Sequence, residues 1–390
     1  MIRSVSLGAL CVCSIVATAP AQVTLRGGTV LDDTVVGVNG QGVVTSPRLA
    51  GDAQRVIPWD MVRAVEGDFA QDARAFSARA DAAWRAQSRL ARGDDRLAEP
   101  ALAALYEELK GEDGPLTLRV SEGLLRCRLI RGDQAGAVPV WLTAVRLRGV
   151  DAGLPSEPRN SGGGAGGAGG AGDSSRAFDA VIDPETGLCP ALPPLWTDAS
   201  DAAALRAALQ ASSGAGGPAA ELAQWYERAA ALDAGEAPAD ALPAASAESD
   251  AVKLVSLMVK ARDPDAKVRG AARERLIAGL DDDADTWKEA WRRAALGRSF
   301  LMESDATLRS QGLVHWLHLP ARFARAQPYL AGAAVVEASN ELKRRGDKAS
   351  LAAAIRLVTE LKVADPFHPA LRNAGGTPSA APKAESGAAP

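Results

Sequence analysis

Apolar residues recur at helical spacing along most of the chain after residue 68. A stripe of this kind predicts an amphipathic helix that buries one face. The clearest stripes span residues 97–109, 116–130, 135–147, 200–211 and 219–233. Further stripes follow residue 252 and continue to residue 363. The pattern therefore predicts a mainly α-helical protein.

A twelve-residue block occurs twice, 39 positions apart, at residues 89–100 and 128–139, and seven of its positions are identical. Each copy joins the end of one apolar stripe to the start of the next. Gly93 and Gly132 are placed to close the first helix in a left-handed conformation, and the following Asp is placed to cap the second helix. Repeated helical hairpins bury their apolar faces against one another, so this spacing predicts a solenoid.

Residues 22–67 follow a different pattern, with short runs rich in Val separated by turn residues. Such runs predict β-hairpins, and several short strands bury their faces by curling into a small barrel. The five predicted strands span residues 23–25, 29–38, 42–45, 55–57 and 61–65.

The long second strand and the tight turn before the last strand resemble SH3-like and Sm-like barrels. Sm proteins that bind RNA carry an Arg-Gly pair near the last strand, whereas this chain has Val62-Arg63-Ala64 there. We therefore expect a structural or docking barrel at residues 22–67 and no nucleic-acid partner.

The hairpins of residues 68–150 resemble tetratricopeptide repeats in their paired helices, although the 39-residue period is longer than usual and no unit carries the full signature. In that family the concave surface holds peptide segments of partner proteins. The resemblance implies a similar surface here but identifies none of its residues. Our own candidates to line the inner face of the repeats are Trp84, Tyr106, Arg126 and Trp141. The alternative for each is a core or ordinary surface position.

The run from Asp263 to Ala272 resembles the corner and second helix of a HEAT repeat. Asp263 or Asp265 is expected to cap that helix. At helical spacing, Val268, Ala272, Leu276 and Leu280 are expected to face inward. Residues 251–372 are therefore predicted to form a HEAT-like and tetratricopeptide-like region, in which Pro320 and Pro328 end helices.

Three segments lack helical periodicity. Residues 151–177 are Gly-rich and residues 234–250 are of low complexity, so both are predicted linkers, and residues 373–390 are a predicted disordered tail. Between the linkers, residues 178–233 are predicted to form an extended strap and then a helical pair. The strap carries four prolines, which forbid a helix, but Leu188, Leu192 and Trp196 are too apolar for a free loop. We expect it to lie against the helices, with a ligand lid as the alternative.

Residues 1–21 have the pattern of a signal peptide: Arg3, an apolar run too short to span a bilayer comfortably, and a small-residue cleavage site. This predicts an exported protein, periplasmic or extracellular, without a transmembrane segment after cleavage; a retained N-terminal anchor is the alternative. The net charge of −4 does not indicate a nucleic-acid-binding or membrane-surface protein. Export permits a disulfide between Cys127 and Cys189, and a buried free thiol at Cys127 is the other possibility.

Three short motifs suggest chemistry, and each has a simpler structural interpretation. Arg-Gly-Asp occurs at residues 92–94, 131–133 and 345–347, always at a predicted helical corner, so helix closure is favoured over a cell-adhesion ligand. His315 and His318 are close enough on one helix for two metal ligands, but no matching third ligand is near. Residues 281–285 lack the Gly and Glu of a calcium-binding loop and suit an acidic helix N-terminus.

No defensible nucleophile, zinc-hydrolase or phosphate-loop motif is present. We therefore assign no catalytic, cofactor-binding or metal-binding residue and expect no cofactor. The leading hypothesis is a non-catalytic, exported helical-repeat scaffold or adaptor that binds another protein. The alternative is an envelope enzyme or carbohydrate-binding protein with a site between barrel and solenoid.

Overall fold

The computed structural model describes residues 21–46, 54–150, 181–211, 218–236, 242–243 and 249–374. The chain is mainly α-helical, with a small β region at its N-terminus. All of the predicted signal peptide except Ala21, the whole Gly-rich linker at 151–177, most of 234–250 and the tail after Ala374 lie outside the described residues.

The described residues of the N-terminal region form six strands in two three-stranded antiparallel sheets, rather than the five strands of one barrel that the sequence predicts. The first sheet has the order β2-β1-β6, and the second has the order β3-β4-β5. The strands are β1 (Gln22–Leu25), β2 (Val30–Leu31), β3 (Thr34–Val38), β4 (Gly42–Ser46), β5 (Arg55–Pro58) and β6 (Val62–Glu66).

The extra strand arises because the predicted second strand divides at Asp33. The Asp33 carboxylate accepts hydrogen bonds from Arg55 Nη2 at 2.6 Å and Thr45 Oγ1 at 3.2 Å. These bonds fix the chain where it leaves the first sheet and enters the second. A period-2 pattern continues through such a transfer, so the pattern alone does not reveal it.

Thirteen α-helices lie in the part of the chain that the structure describes. They are α1 (Ala70–Arg74), α2 (Ser77–Ala91), α3 (Asp95–Glu108), α4 (Pro115–Arg131), α5 (Gln134–Val150), α6 (Ala199–Ala211), α7 (Pro218–Asp233), α8 (Asp250–Lys260), α9 (Ala266–Ala278), α10 (Trp287–Leu301), α11 (Ala306–Arg322), α12 (Pro328–Arg345) and α13 (Lys348–Ala364). Short 3-10 helices span Gly67–Phe69 and Pro369–Asn373.

The helical pattern that begins after residue 68 forms two helices, α1 and α2, with a break between them. The ring of Phe76, at this break, stacks on Trp59 with the two ring centroids 5.2 Å apart. Trp59 is buried in the sheets, and its Nε1 donates to the carbonyl oxygen of Asn39 at 2.8 Å. The break therefore places an aromatic residue between the β region and the helices.

From α2 to α13 each helix packs on the next one along the chain, and several alternate helices also touch, including α8 with α10 and α10 with α12. One continuous hydrophobic core runs from the sheets to α12. Small residues permit some of the closest approaches: a Cβ at Gly312 in α11 would lie 2.9 Å from the carbonyl oxygen of Gly297 in α10.

The three Arg-Gly-Asp corners share one backbone conformation. Gly93, Gly132 and Gly346 have φ angles of 79°, 78° and 78°, the left-handed conformation that closes a helix. Asp133 accepts from the Gly136 amide, and Asp347 accepts from two amides at the start of α13. Asp94 makes no such cap bond, so the expected capping is absent at the first corner.

Two further predictions concern helix ends. Asp265 caps α9 by accepting from the Lys267 amide at 2.8 Å, and Ala272 and Leu276 are buried on the inward face. The prediction that Pro320 ends a helix is wrong, because α11 continues to Arg322. Pro320 lies in the last turn, where the missing amide donor removes one hydrogen bond without disturbing the rest of the helix. Pro328 does not end a helix either: it is the first residue of α12, where a proline has no helical hydrogen bond to lose.

Candidate functional site

The most unusual feature of the fold is a non-helical strap, residues 181–196, that runs through the core. Four prolines keep this segment from becoming a helix, yet its apolar side chains are almost entirely removed from solvent. Relative exposure is 3% or less for Ile182, Leu188, Cys189, Leu192, Leu195 and Trp196. Buried backbone carbonyls in such a segment need donors from elsewhere in the protein.

Aromatic side chains of four helices supply donors to the strap. Burial raises the pKa of Tyr226 and of Tyr329, so both hydroxyls keep their protons and act as donors. The bonds run from Trp141 Nε1 to Gly187 O (3.0 Å), Tyr226 Oη to Leu192 O (2.5 Å), Trp291 Nε1 to Pro190 O (3.0 Å) and Tyr329 Oη to Leu195 O (3.0 Å).

Two arginines hold the C-terminal end of the strap. Arg262, in the turn after α8, donates to the carbonyl oxygen of Pro194 at 2.8 Å, and Arg298 of α10 donates to that of Trp196 at 2.8 Å. The strap is thus bonded by α5, α7, α10, α12 and the turn after α8. All of these donors bond backbone carbonyl oxygens. They therefore hold the path of the strap backbone and do not depend on which side chains the strap carries.

The same two arginines belong to a buried network of four charges. Arg262 Nη1 lies 2.7 Å from Asp233 Oδ1, and Arg298 bonds both Asp233 and Glu337, the latter at 2.7 Å. The other oxygen of Asp233 accepts from the Trp196 amide at 2.8 Å. Two positive and two negative charges balance, which is what a buried ionic cluster requires.

The network keeps Arg298 charged. Burial disfavours its cationic form, but the charges of Asp233 and Glu337 and the hydrogen bond that Arg298 donates to Glu337 outweigh burial and raise the pKa of Arg298. For Arg262, burial is the largest effect and lowers the pKa, although Asp233 opposes it. Arginine remains protonated under both influences at any ordinary pH. Both arginines therefore keep the positive charge that pairs with the carboxylates.

The four side chains proposed from the sequence to line a partner-binding face lie in different environments. Trp84 is 40% exposed, with the Arg26 guanidinium 4.8 Å from its ring centroid. Tyr106 shares a hydrogen bond with Thr143, and Arg126 pairs with Asp95. Trp141 has no exposed surface and is the one of the four that holds the strap.

Sequence reasoning missed the remaining residues that hold the strap: Tyr226, Asp233, Arg262, Trp291, Arg298, Tyr329 and Glu337. Two of them lie on each of α7, α10 and α12, and Arg262 lies in the turn after α8. The one available signal was indirect, because a buried strap rich in carbonyls implies donors on the helices around it. The spacing of the donors along the chain follows no repeat.

The residues considered as metal ligands make other contacts. His315 stacks on Phe300, and burial lowers the pKa of His315 to about 4. His318 Nε2 lies 3.3 Å from Glu289 Oε1. Of the acidic run at 281–285, Asp283 pairs with Arg292 at 2.6 Å. Within the described ranges, no three His, Cys, Asp or Glu side chains form a group that could hold a metal ion.

Both described cysteines are free and buried. Burial raises the pKa of each thiol to about 12, so neither is a reactive thiolate at neutral pH. Cys127 donates to the carbonyl oxygen of Asp95 at 3.4 Å, and Cys189 packs inside the strap. The open question of a disulfide is answered in favour of the free thiols.

The alternative hypothesis places an active or carbohydrate-binding site between the sheets and the helices. Side chains of the two regions bond each other directly there. Gln41 donates to Glu112 at 3.0 Å and accepts from the Thr117 amide at 3.0 Å. Arg119 pairs with Asp60, whose side chain is 2% exposed. These bonds attach the β region to the start of α4.

No protein-family model, curated protein or solved structure matches this chain. Among the described helices, none combines the length and the apolar character that crossing a bilayer requires.

Proposed function

We propose that this chain is an exported, non-catalytic helical-repeat scaffold that mediates protein–protein interaction in the cell envelope. Its helices would form an irregular α-solenoid similar to tetratricopeptide and HEAT repeats, preceded by a small SH3-like or Sm-like barrel. The packing of each helix on the next, and the contacts between alternate helices, support the solenoid. The pairing of the first strand β1 with the last strand β6 supports a barrel.

The strap is the observation that carries this proposal. The polar side chains that surround the strap are bonded to its backbone, and both arginines are also held by carboxylates. These bonds make the helices around the strap rigid. The outer surfaces of the helices are then the surfaces available to bind a partner. A rigid body with unreactive buried thiols suits a scaffold better than an active site.

Export is part of the proposal and rests on the sequence of residues 1–21, with its basic start, short apolar run and small-residue cleavage site. Buried, unreactive cysteines are compatible with an oxidising compartment, because they offer no accessible thiolate for disulfide exchange.

Chemical crosslinking of a tagged copy in cells, followed by fractionation and mass spectrometry, tests the function. We expect the tag in the exported fraction, crosslinked to one reproducible envelope protein. A tagged protein recovered alone from that fraction would contradict the scaffold, and recovery from the cytoplasm would contradict export. A tagged exported protein of unrelated fold controls for abundant neighbours.

A further inference from the structure

The last helix, α13, carries large apolar side chains on its solvent side. Leu351, Ile355 and Val363 are 40%, 66% and 80% exposed, and Phe367 just beyond the helix is 92% exposed. Residues 351, 355 and 363 are separated by multiples of four and therefore lie along one side of the helix. We call Leu351, Ile355 and Val363 the α13 stripe. Several exposed apolar side chains in a row mark a candidate interaction surface.

Helices α9, α11 and α13 are equivalent in position, since each is the second helix of a pair and begins after a capping Asp: Asp265, Asp305 and Asp347. Counting from the cap aligns the three helices. The fourth residue after the cap is Arg269 in α9, Arg309 in α11 and Leu351 in α13, and the eighth is Arg273, Leu313 and Ile355.

In the two earlier helices these positions hold the following unit. Arg269 and Arg273 of α9 both pair with Glu303, which follows α10, at 3.1 and 2.6 Å. Arg309 of α11 pairs with Glu341 of α12, while Leu313 is 9% exposed. In α13 the equivalent face is apolar, and in the described chain no further α-helix lies after it, only the short 3-10 helix Pro369–Asn373. The α13 stripe is therefore the face on which a next helix would pack.

Charge and composition indicate what covers this face. The helix α13 has three basic residues, Lys348, Arg356 and Lys362, and one acidic residue, Glu360. Lys348 and Lys362 are exposed beside the stripe, and Arg356 is exposed and pairs with Glu360 on the same helix. A second copy would bring like charges together, which disfavours self-association. Residues 375–390 contain no Leu, Ile, Val, Met, Phe or Trp and so cannot bury the stripe.

We propose that the α13 stripe docks an amphipathic helix of a partner protein, one that carries acidic residues beside its own apolar stripe. This inference rests on the proposed scaffold function and names its docking surface. Glu303 and Glu341 are the internal precedents, because the units that pack on α9 and α11 present acidic side chains to those helices. The partner helix would repeat this contact against lysine and arginine at the rim and add apolar burial at the centre.

A synthetic helix tests the surface without knowledge of the partner. The probe is a fluorescent peptide of about 18 residues, or five helical turns, with a leucine stripe flanked by Glu; the control peptide has Lys in place of Glu. We expect the acidic peptide to bind and the basic peptide to bind at least about tenfold more weakly. Ile355→Glu should weaken binding of the acidic peptide by a similar factor. The matched control is Ile277→Glu at a position of α9 that is 46% exposed, and it should bind normally.

Three results would overturn the proposal: equal binding of both peptides, no binding of either, or unchanged binding by Ile355→Glu. Sedimentation showing a dimer of the native protein that Ile355→Glu dissolves would also overturn it, in favour of a second copy. Circular dichroism melting confirms that both variants fold. If the peptide binds but no partner is captured in cells, the proposed scaffold function is contradicted and the docking surface is supported. If a partner is captured but the peptide does not bind, the scaffold function is supported and the docking surface is contradicted.

Discussion

Replacing Arg298 by Met removes the side chain that joins the strap to α7, α10 and α12. In the native protein this guanidinium bonds Asp233, Glu337 and the carbonyl oxygen of Trp196. Met has a similar length and is apolar, so the variant keeps much of the packing but leaves Glu337 without this partner and the Trp196 carbonyl without its donor. Arg262 still pairs with Asp233, which limits the damage.

The expected loss follows from these contacts. Breaking a buried ion pair by removing one partner typically costs about 3–5 kcal/mol. The lower end applies here, because Asp233 retains Arg262 and the Glu337 side chain is 25% exposed. We therefore expect the free energy of unfolding to fall by about 3 kcal/mol in Arg298→Met.

Urea unfolding followed by far-UV circular dichroism measures this difference. The matched control is Arg356→Met, which removes an exposed arginine whose carboxylate partner is Glu360, four residues away on α13. That substitution should change the free energy of unfolding by no more than about 0.5 kcal/mol. A loss below about 1 kcal/mol in Arg298→Met, with unchanged m-values, would refute the structural role given to the network.

Three further predictions test separate parts of the fold. Gly93→Ala should destabilise by about 1–2 kcal/mol because φ is 79° there, whereas Gly270→Ala inside α9 should stabilise by about 0.5–1 kcal/mol; equal melting temperatures would contradict the assigned corner. For Glu341, burial opposes ionisation, but hydrogen bonds and charges from Arg344 and Arg309 prevail and lower its pKa. Its contribution to stability is therefore present above the unfolded-state pKa and is lost as the pH falls through the folded-state value. Glu341→Gln should accordingly flatten the acid-side decline of stability, and an unchanged profile would contradict this. Iodoacetamide should leave Cys127 and Cys189 unmodified in the native protein and alkylate both in urea without a reductant; alkylation in urea that occurs only after reduction would instead show a disulfide.

The helices were predictable because their signal is local. Apolar spacing placed 116–130 where α4 spans Pro115–Arg131, and glycine followed by aspartate marked corners such as Gly346-Asp347. Local rules failed where a tertiary contact decides the outcome. The division of one predicted strand into two depends on a bond between Asp33 and Arg55, which the pattern of either segment does not contain.

The composition of the strap indicates that it is buried but does not indicate what holds it. Trp291 lies 101 residues from the carbonyl it binds, and Tyr329 lies 134 residues from its own acceptor. A single tryptophan or tyrosine on an apolar helix face has the same local pattern whether it fills a core or donates to a strap. The α13 stripe likewise has no local signal of its exposure, because an apolar stripe has the same pattern whether or not another helix covers it.

Site-specific photocrosslinking in living cells is the most direct test of the scaffold and its docking surface. A photoreactive residue is placed at position 355 of α13 and, as the control, at position 277 of α9, both of which are exposed in the native protein. We predict one reproducible adduct from position 355, mapped by mass spectrometry to an amphipathic helix with acidic residues beside its apolar stripe, and none from position 277. The same adduct from both positions, or no adduct from position 355, would contradict this account.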